Sequence, residues 1–111
     1  MRLWNAFAYS RRGFVAAWQN EAAFRQEMLL LVVTLPLGFW LGKNGVERAL
    51  LLGSVLLAPV VELLNSGLEA IVDKTTPELH ELAGRAKDMG SAAVLLVLLL
   101  AAVVWGCVLL G

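Results

Sequence analysis

The 111 residues are 59% hydrophobic, with a mean hydropathy of +0.75, well beyond the roughly half-apolar make-up of soluble domains. Nine basic residues cancel nine acidic ones, which removes both the basic excess of a nucleic-acid binder and the acidic tail of a solvated linker. The lone cysteine, Cys107, rules out an intrachain disulfide or a Cys-based zinc site and falls in an apolar run, where it packs as a small hydrophobe.

At the amino-terminal end, Leu3, Trp4, Phe7, Phe14, Val15, Trp18 and Ala22 follow a helical stripe that leaves Arg11, Arg12, Gln19 and Asn20 largely off it. That pattern reads as an amphipathic helix lying on the membrane surface over about residues 3–22, with Trp and Arg as anchors; a soluble helix packed on the loops is the alternative. The first apolar run follows mixed sequence, not a short basic leader, and no small-residue cleavage site follows it, so the reading takes the mature chain as the whole chain. Residues 28–42 are uncharged over a stretch short for a span, so this helix, placed at about 25–42, draws on Ala22, Ala23 and Phe24 and lets Arg25 and Glu27 snorkel or pair. About six residues around Lys43, Asn44 and Gly45 then turn the chain back as an antiparallel hairpin.

The second span, about 48–72, is long enough to cross yet carries Glu62, Asn65 and Glu69. Their i, i+3, i+7 spacing puts all three on one face, which Asp73 extends to the boundary. An unpaired charge at the depth of Glu62 costs on the order of 2.5 kcal/mol or more, so an intramembrane carboxylate is a functional candidate by default. A protonated Glu serving as interhelical glue is the bland reading. Pro59, one turn before Glu62, and Pro36 in the first span each remove a backbone hydrogen bond and predict bends on the external side of Glu62. In the following connection Thr76 is placed to cap a helix with Pro77 at its first position and Glu78 in its first turn, so the third helix begins in water. Its apolar part, about 89–110, is the clearest span. Arg85, Lys87 and Asp88 stand just before it, with Ser91 one turn beyond Lys87. Lys87 also reads as a simple interfacial anchor, and a Glu21–Arg25 helical salt bridge is the bland reading of that pair.

The fold class is therefore all-α integral membrane, a single membrane-embedded domain over residues 1–111 with three spans and a surface helix. Arg2, Arg11, Arg12, Arg25, Lys74, Arg85 and Lys87 fall on one side of the bilayer and only Lys43 and Arg48 on the other. The positive-inside rule then puts the amino terminus in the cytoplasm and the carboxyl end outside. Carboxylates with oxygen-only neighbours suit Mg²⁺, which keeps waters and substrate phosphates in its shell. His80 is solitary, and no Gly-x-x-x-x-Gly-Lys-Ser/Thr, Gly-x-Gly-x-x-Gly or Asp-Phe-Gly motif occurs, so neither a P-loop nor a protein-kinase fold is available.

Three segments carry a resemblance over nearly the whole chain: NEAAFRQE (Asn20 to Glu27), VELLNSGLEAIVD (Val61 to Asp73) and ELHELAGRAKDMGSAAVL (Glu78 to Leu95). In order and spacing they resemble the prokaryotic diacylglycerol kinases. The resemblance implies an inner-membrane enzyme that phosphorylates the primary hydroxyl of diacylglycerol with ATP and Mg²⁺, giving phosphatidic acid and ADP. It further implies Glu62 as catalytic base and Asn65 as its positioning partner, with Glu21 and Glu69 as Mg²⁺ ligands. Arg2, Tyr9, Glu21, Glu69, Glu78, His80, Lys87 and Asp88 are then expected along the nucleotide, and Glu62, Ser91, Trp18 and Arg48 along the lipid. A homotrimer with active sites shared between protomers is implied as well, with ATP, diacylglycerol and membrane lipid as partners and no nucleic acid. Three rival readings stand beside it: an undecaprenol kinase of the same family, a purely structural membrane subunit, and a small proton-coupled transporter, which expects a fourth span and no Lys87–Asp88 cluster.

Overall fold

A computed structural model describes residues 2–75 and 81–111, and among these the only regular elements are four α-helices: α1 (Arg2–Asn20), α2 (Ala22–Leu41), α3 (Gly45–Thr75) and α4 (Glu81–Leu110). Thr76, Pro77, Glu78 and His80, expected to cap the third helix and to line the nucleotide, lie outside the described residues. Three of the helices, α2, α3 and α4, are long and apolar enough to cross a membrane, as the composition requires. The spread of large apolar side chains on the outside, among them Val32, Trp40, Leu64, Leu96 and Leu110, is what a lipid-facing surface looks like and what water would not tolerate.

The central element is α3, on which α1, α2 and α4 all pack. Its inward stripe runs Leu51, Ser54, Ala58, Glu62, each buried, and continues through the half-buried Asn65 and Glu69. The steps of three and four residues are those of one helix face, so the polar triplet is the continuation of the packing stripe and not a separate feature. Near the hairpin end the stripe is apolar and tight. A Cβ on Gly38 of α2 would stand 3.3 Å from Leu51 Cβ and 3.3 Å from Trp105 Cζ2 of α4, so glycine lets three helices meet at one level, the small-residue packing that lipid-embedded helices rely on. Trp105 Nε1 donates to Leu51 O at 3.1 Å, and Ser54 Oγ donates to the same carbonyl at 3.1 Å. Both polar groups are thus satisfied without water.

The turn between α2 and α3 is shorter than expected, because α3 starts as early as Gly45. Asn44 supplies the reason: its Oδ1 accepts from Glu47 N at 2.9 Å, while Glu47 Oε1 accepts from Lys43 N at 2.9 Å. The first bond caps the start of α3, and the second ties the residue before the cap to the first turn. Pro36 and Pro59 lie within α2 and α3, and both helices continue through them.

Candidate active site

The site is built where the inward stripe of α3 turns polar. Glu62 is 6% exposed, and the carboxylates of both Glu21 and Glu69 act on it electrostatically. Asn65 Nδ2 donates to Glu69 Oε1 at 3.2 Å, which ties the second and third members of the face together.

Glu21 reaches this neighbourhood through an interruption between two helices. It is the one residue between α1 and α2, with extended backbone (φ −120°, ψ 108°), and as N-cap of α2 it makes no side-chain capping bond. Its carboxylate is therefore not spent on capping and stands at the start of α2. The bland reading of a Glu21–Arg25 salt bridge is not what forms: Arg25 Nη1 donates to Trp18 O at 2.6 Å. The last carbonyls of α1 lack intrahelical partners and attract a cation, so the break that frees Glu21 also draws Arg25 from it.

Glu27 departs from expectation. It does not snorkel but is 9% exposed, its Oε1 has no hydrogen-bond partner, and it and Glu62 interact electrostatically. The signal was present in the sequence, because the buried residues of α2 include Phe24, Glu27 and Leu31, again at i, i+3, i+7. Asp73 likewise gains a role that spacing alone did not assign: Lys87 Nζ meets its Oδ1 at 2.9 Å, closing α4 onto α3 at the rim of the site. Arg85 pairs within its own helix, 3.7 Å from Glu81.

On α4, Lys87, Gly90, Val94 and Val97 form the face turned to the bundle, whereas Asp88 and Ser91 are exposed, about 100° round the helix. Arg2, Tyr9 and Trp18 are exposed on α1, where Arg12 stacks 5.3 Å above the Tyr9 ring. Arg48 is not part of the cluster. It lies about 21 Å from Glu62 along α3, with Nε donating to Phe39 O at 2.9 Å. Between α1 and α3 a cleft of about 540 Å³ is lined by Ser10, Phe14, Asn20, Glu21, Leu63 and Ser66, so Glu21 forms part of its wall.

Among the described residues no three acidic, His or Cys side chains are close enough to hold a metal ion unaided. Mg²⁺ asks for less than that, since one or two carboxylates suffice when phosphate oxygens and waters fill the remaining positions. Glu21, uncapped, and Glu69, oriented by Asn65, fit that demand with oxygen donors alone.

A family model described as prokaryotic diacylglycerol kinase matches residues 8–109, from α1 through α4. The chain belongs to the prokaryotic diacylglycerol kinase family. It is 50% identical over 109 residues to the diacylglycerol kinase of Escherichia coli K12, covering 98% of this chain and 88% of that protein. With the diacylglycerol kinase of Pseudomonas aeruginosa it shares 51% over 110 residues, 99% of this chain and 89% of the relative. The Haemophilus influenzae diacylglycerol kinase is 47% identical over 105 residues, 95% of this chain and 89% of the relative. With its three membrane-crossing helices, this member of the prokaryotic diacylglycerol kinases is an inner-membrane enzyme, a kinase that acts on an alcohol.

Proposed function

We propose that the protein transfers the γ-phosphoryl group of ATP to the primary hydroxyl of diacylglycerol, releasing phosphatidic acid and ADP, with Glu62 as the general base. The observation that carries this reading is the buried carboxylate of Glu62 continuing the packing stripe of α3, one turn from Asn65 and two from Glu69, in a chain of this family. Glu62 lies about 16 Å from Asp73 along the helix, a depth suited to a lipid hydroxyl arriving sideways through the bilayer. It takes the hydroxyl proton as the oxygen attacks phosphorus; the new O–P bond forms as the bond to the β-phosphate oxygen breaks, and ADP leaves.

Glu21 and Glu69 would hold the nucleotide's Mg²⁺, which would supply charge neutralisation on the phosphoryl oxygens. Asn65 fixes the Glu69 carboxylate. Lys87 brings a cation to the phosphates and exchanges its Asp73 partner for them, while Glu78 and His80 complete the nucleotide side. Arg2 and Tyr9 approach the nucleotide from α1. Trp18, Ser91 and Arg48 line the lipid path, Arg48 at the end of α3 far from the chemistry.

Asp88 and Ser91 are exposed, about 100° round α4 from the face that meets α3, which supports a homotrimer in which α4 of one protomer completes the site of the next. Mixed micelles containing ATP, Mg²⁺ and equal amounts of short-chain diacylglycerol and undecaprenol test the substrate assignment. Phosphatidic acid is the expected main product; a predominance of undecaprenyl phosphate overturns it.

The orientation is amino terminus cytoplasmic and carboxyl terminus external, on the strength of the basic residues clustered at one end of the spans. Reporter fusions after Gly111 and within Lys43–Gly45 are expected to read external, and a fusion at Met1 cytoplasmic. A cytoplasmic carboxyl terminus would remove one of the three crossings.

A further inference from the structure

At Gly90, α4 lies directly against the polar face of α3. A Cβ built on it would collide with Asn65 Oδ1, would stand 3.0 Å from Asn65 Cγ, and would meet Leu68 Cδ2 at 3.5 Å. The Cα–H that occupies this direction instead is aimed at Oδ1, a weak donor to an acceptor that is buried and has no hydrogen-bond partner. At the other end of the same carboxamide, Nδ2 donates to Glu69 Oε1. A carboxylate accepts only from the NH₂ side of an amide, so this bond fixes which way the group faces and turns Oδ1 to α4. The carboxamide is therefore clamped between a carboxylate of α3 and a bare stretch of α4 backbone. One turn earlier on the same face of α4, Lys87 pairs with Asp73 of α3 at 2.9 Å.

We propose that Gly90 is a positioning residue for phosphoryl transfer: the absence of a side chain there makes the space in which Asn65 holds Glu69. A methyl group at this position displaces the end of a flexible side chain and leaves the helix backbones alone, so its effect falls on Asn65 and, through the lost hydrogen bond, on the orientation of Glu69. An outer partner that orients a metal-binding carboxylate matters nearly as much as the carboxylate itself, with losses of about 10- to 100-fold when it goes. The proposal rests on the reading of Asn65 and Glu69 as parts of the kinase site.

The test is a double-mutant cycle on the full-length enzyme in mixed micelles. Gly90→Ala is expected to lower kcat about 10-fold or more with the KM for diacylglycerol within about twofold of wild type. In the Asn65→Ala background, where Oδ1 is gone, adding Gly90→Ala is expected to change kcat by less than about twofold. Gly106→Ala serves as control, since a Cβ at that position of α4 meets nothing within 4 Å; its activity is expected to match wild type. Equal losses from Gly90→Ala in both backgrounds would show a general packing role and overturn the proposal, as would full activity of the single variant. Wild-type turnover in Asn65→Ala would bring down the site reading itself, and the proposal with it. Should Gly90→Ala fail to assemble, recovery of assembly by Gly90→Ala with Asn65→Ala supports the clash with Asn65, and failure of both overturns it. A side-chain NH₂ resonance of Asn65 that moves in Gly90→Ala, and stays in place in Gly106→Ala, is the matching spectroscopic result; an unmoved resonance contradicts it.

Discussion

Glu62→Gln is expected to lower kcat by at least ~100-fold while leaving ATP affinity nearly unchanged. Gln has the shape of Glu and retains hydrogen bonding, so the buried stripe from Leu51 to Glu62 stays packed. What disappears is the oxygen that accepts the lipid proton. Glu21 and Glu69, assigned to the Mg²⁺ of the nucleotide, are untouched, which is why binding and turnover separate. Steady-state kinetics with diacylglycerol, together with equilibrium binding of a non-hydrolysable nucleotide, make the comparison. Turnover near wild type at neutral pH would remove Glu62 from the role of base and pass the candidacy to Glu27, the other carboxylate buried in this region.

Glu62→Gln and Asp88→Asn chains, each inactive as pure oligomers, are expected to regain activity when unfolded together and reassembled in mixed micelles. The reason lies in the faces of α4. Lys87 and Gly90 are turned to their own α3, and Asp88 with Ser91 is exposed on the adjoining face. In the proposed shared-site trimer, that exposed carboxylate belongs to a neighbour's nucleotide site. In a mixed trimer some pockets then have both substitutions elsewhere and are intact. A mixture as inactive as its parents, under conditions where wild type and mutant chains do exchange, would place Glu62 and Asp88 of each site on one chain.

The helices were legible because membrane spans advertise themselves through composition, and the polar face of α3 was legible because an intramembrane carboxylate is costly and three polar residues on one helix face are harder to explain as interhelical glue than one. Other features were hidden for physical reasons. Glu27 adjoins the apolar run and so reads as a residue that snorkels or pairs, whereas its i, i+3, i+7 phase with Phe24 and Leu31 puts it on the buried face of α2. The Arg25 contact depends on the interruption of the helix at Glu21, which leaves Trp18 O for it and which no local residue pattern announces. The Lys87–Asp73 pair joins residues 14 apart in sequence, and Gly90 carries no chemistry that a motif search would weigh. Both emerge only once α3 and α4 are side by side. The early start of α3, by contrast, was written in Asn44 and Glu47, three residues apart, the spacing of a helix cap.

Whether the phosphoryl group passes from ATP to a lipid hydroxyl at the carboxylate face of α3 is decided by a single-turnover experiment, with enzyme in excess over γ-labelled ATP in vesicles containing diacylglycerol and Mg²⁺, quenched over time. Label is expected to enter phosphatidic acid one for one with ADP in the wild-type enzyme, and at least ~100-fold more slowly in Glu62→Gln. ADP formed without labelled lipid, or label transferred equally fast by the Glu62→Gln enzyme, would contradict transfer at this face.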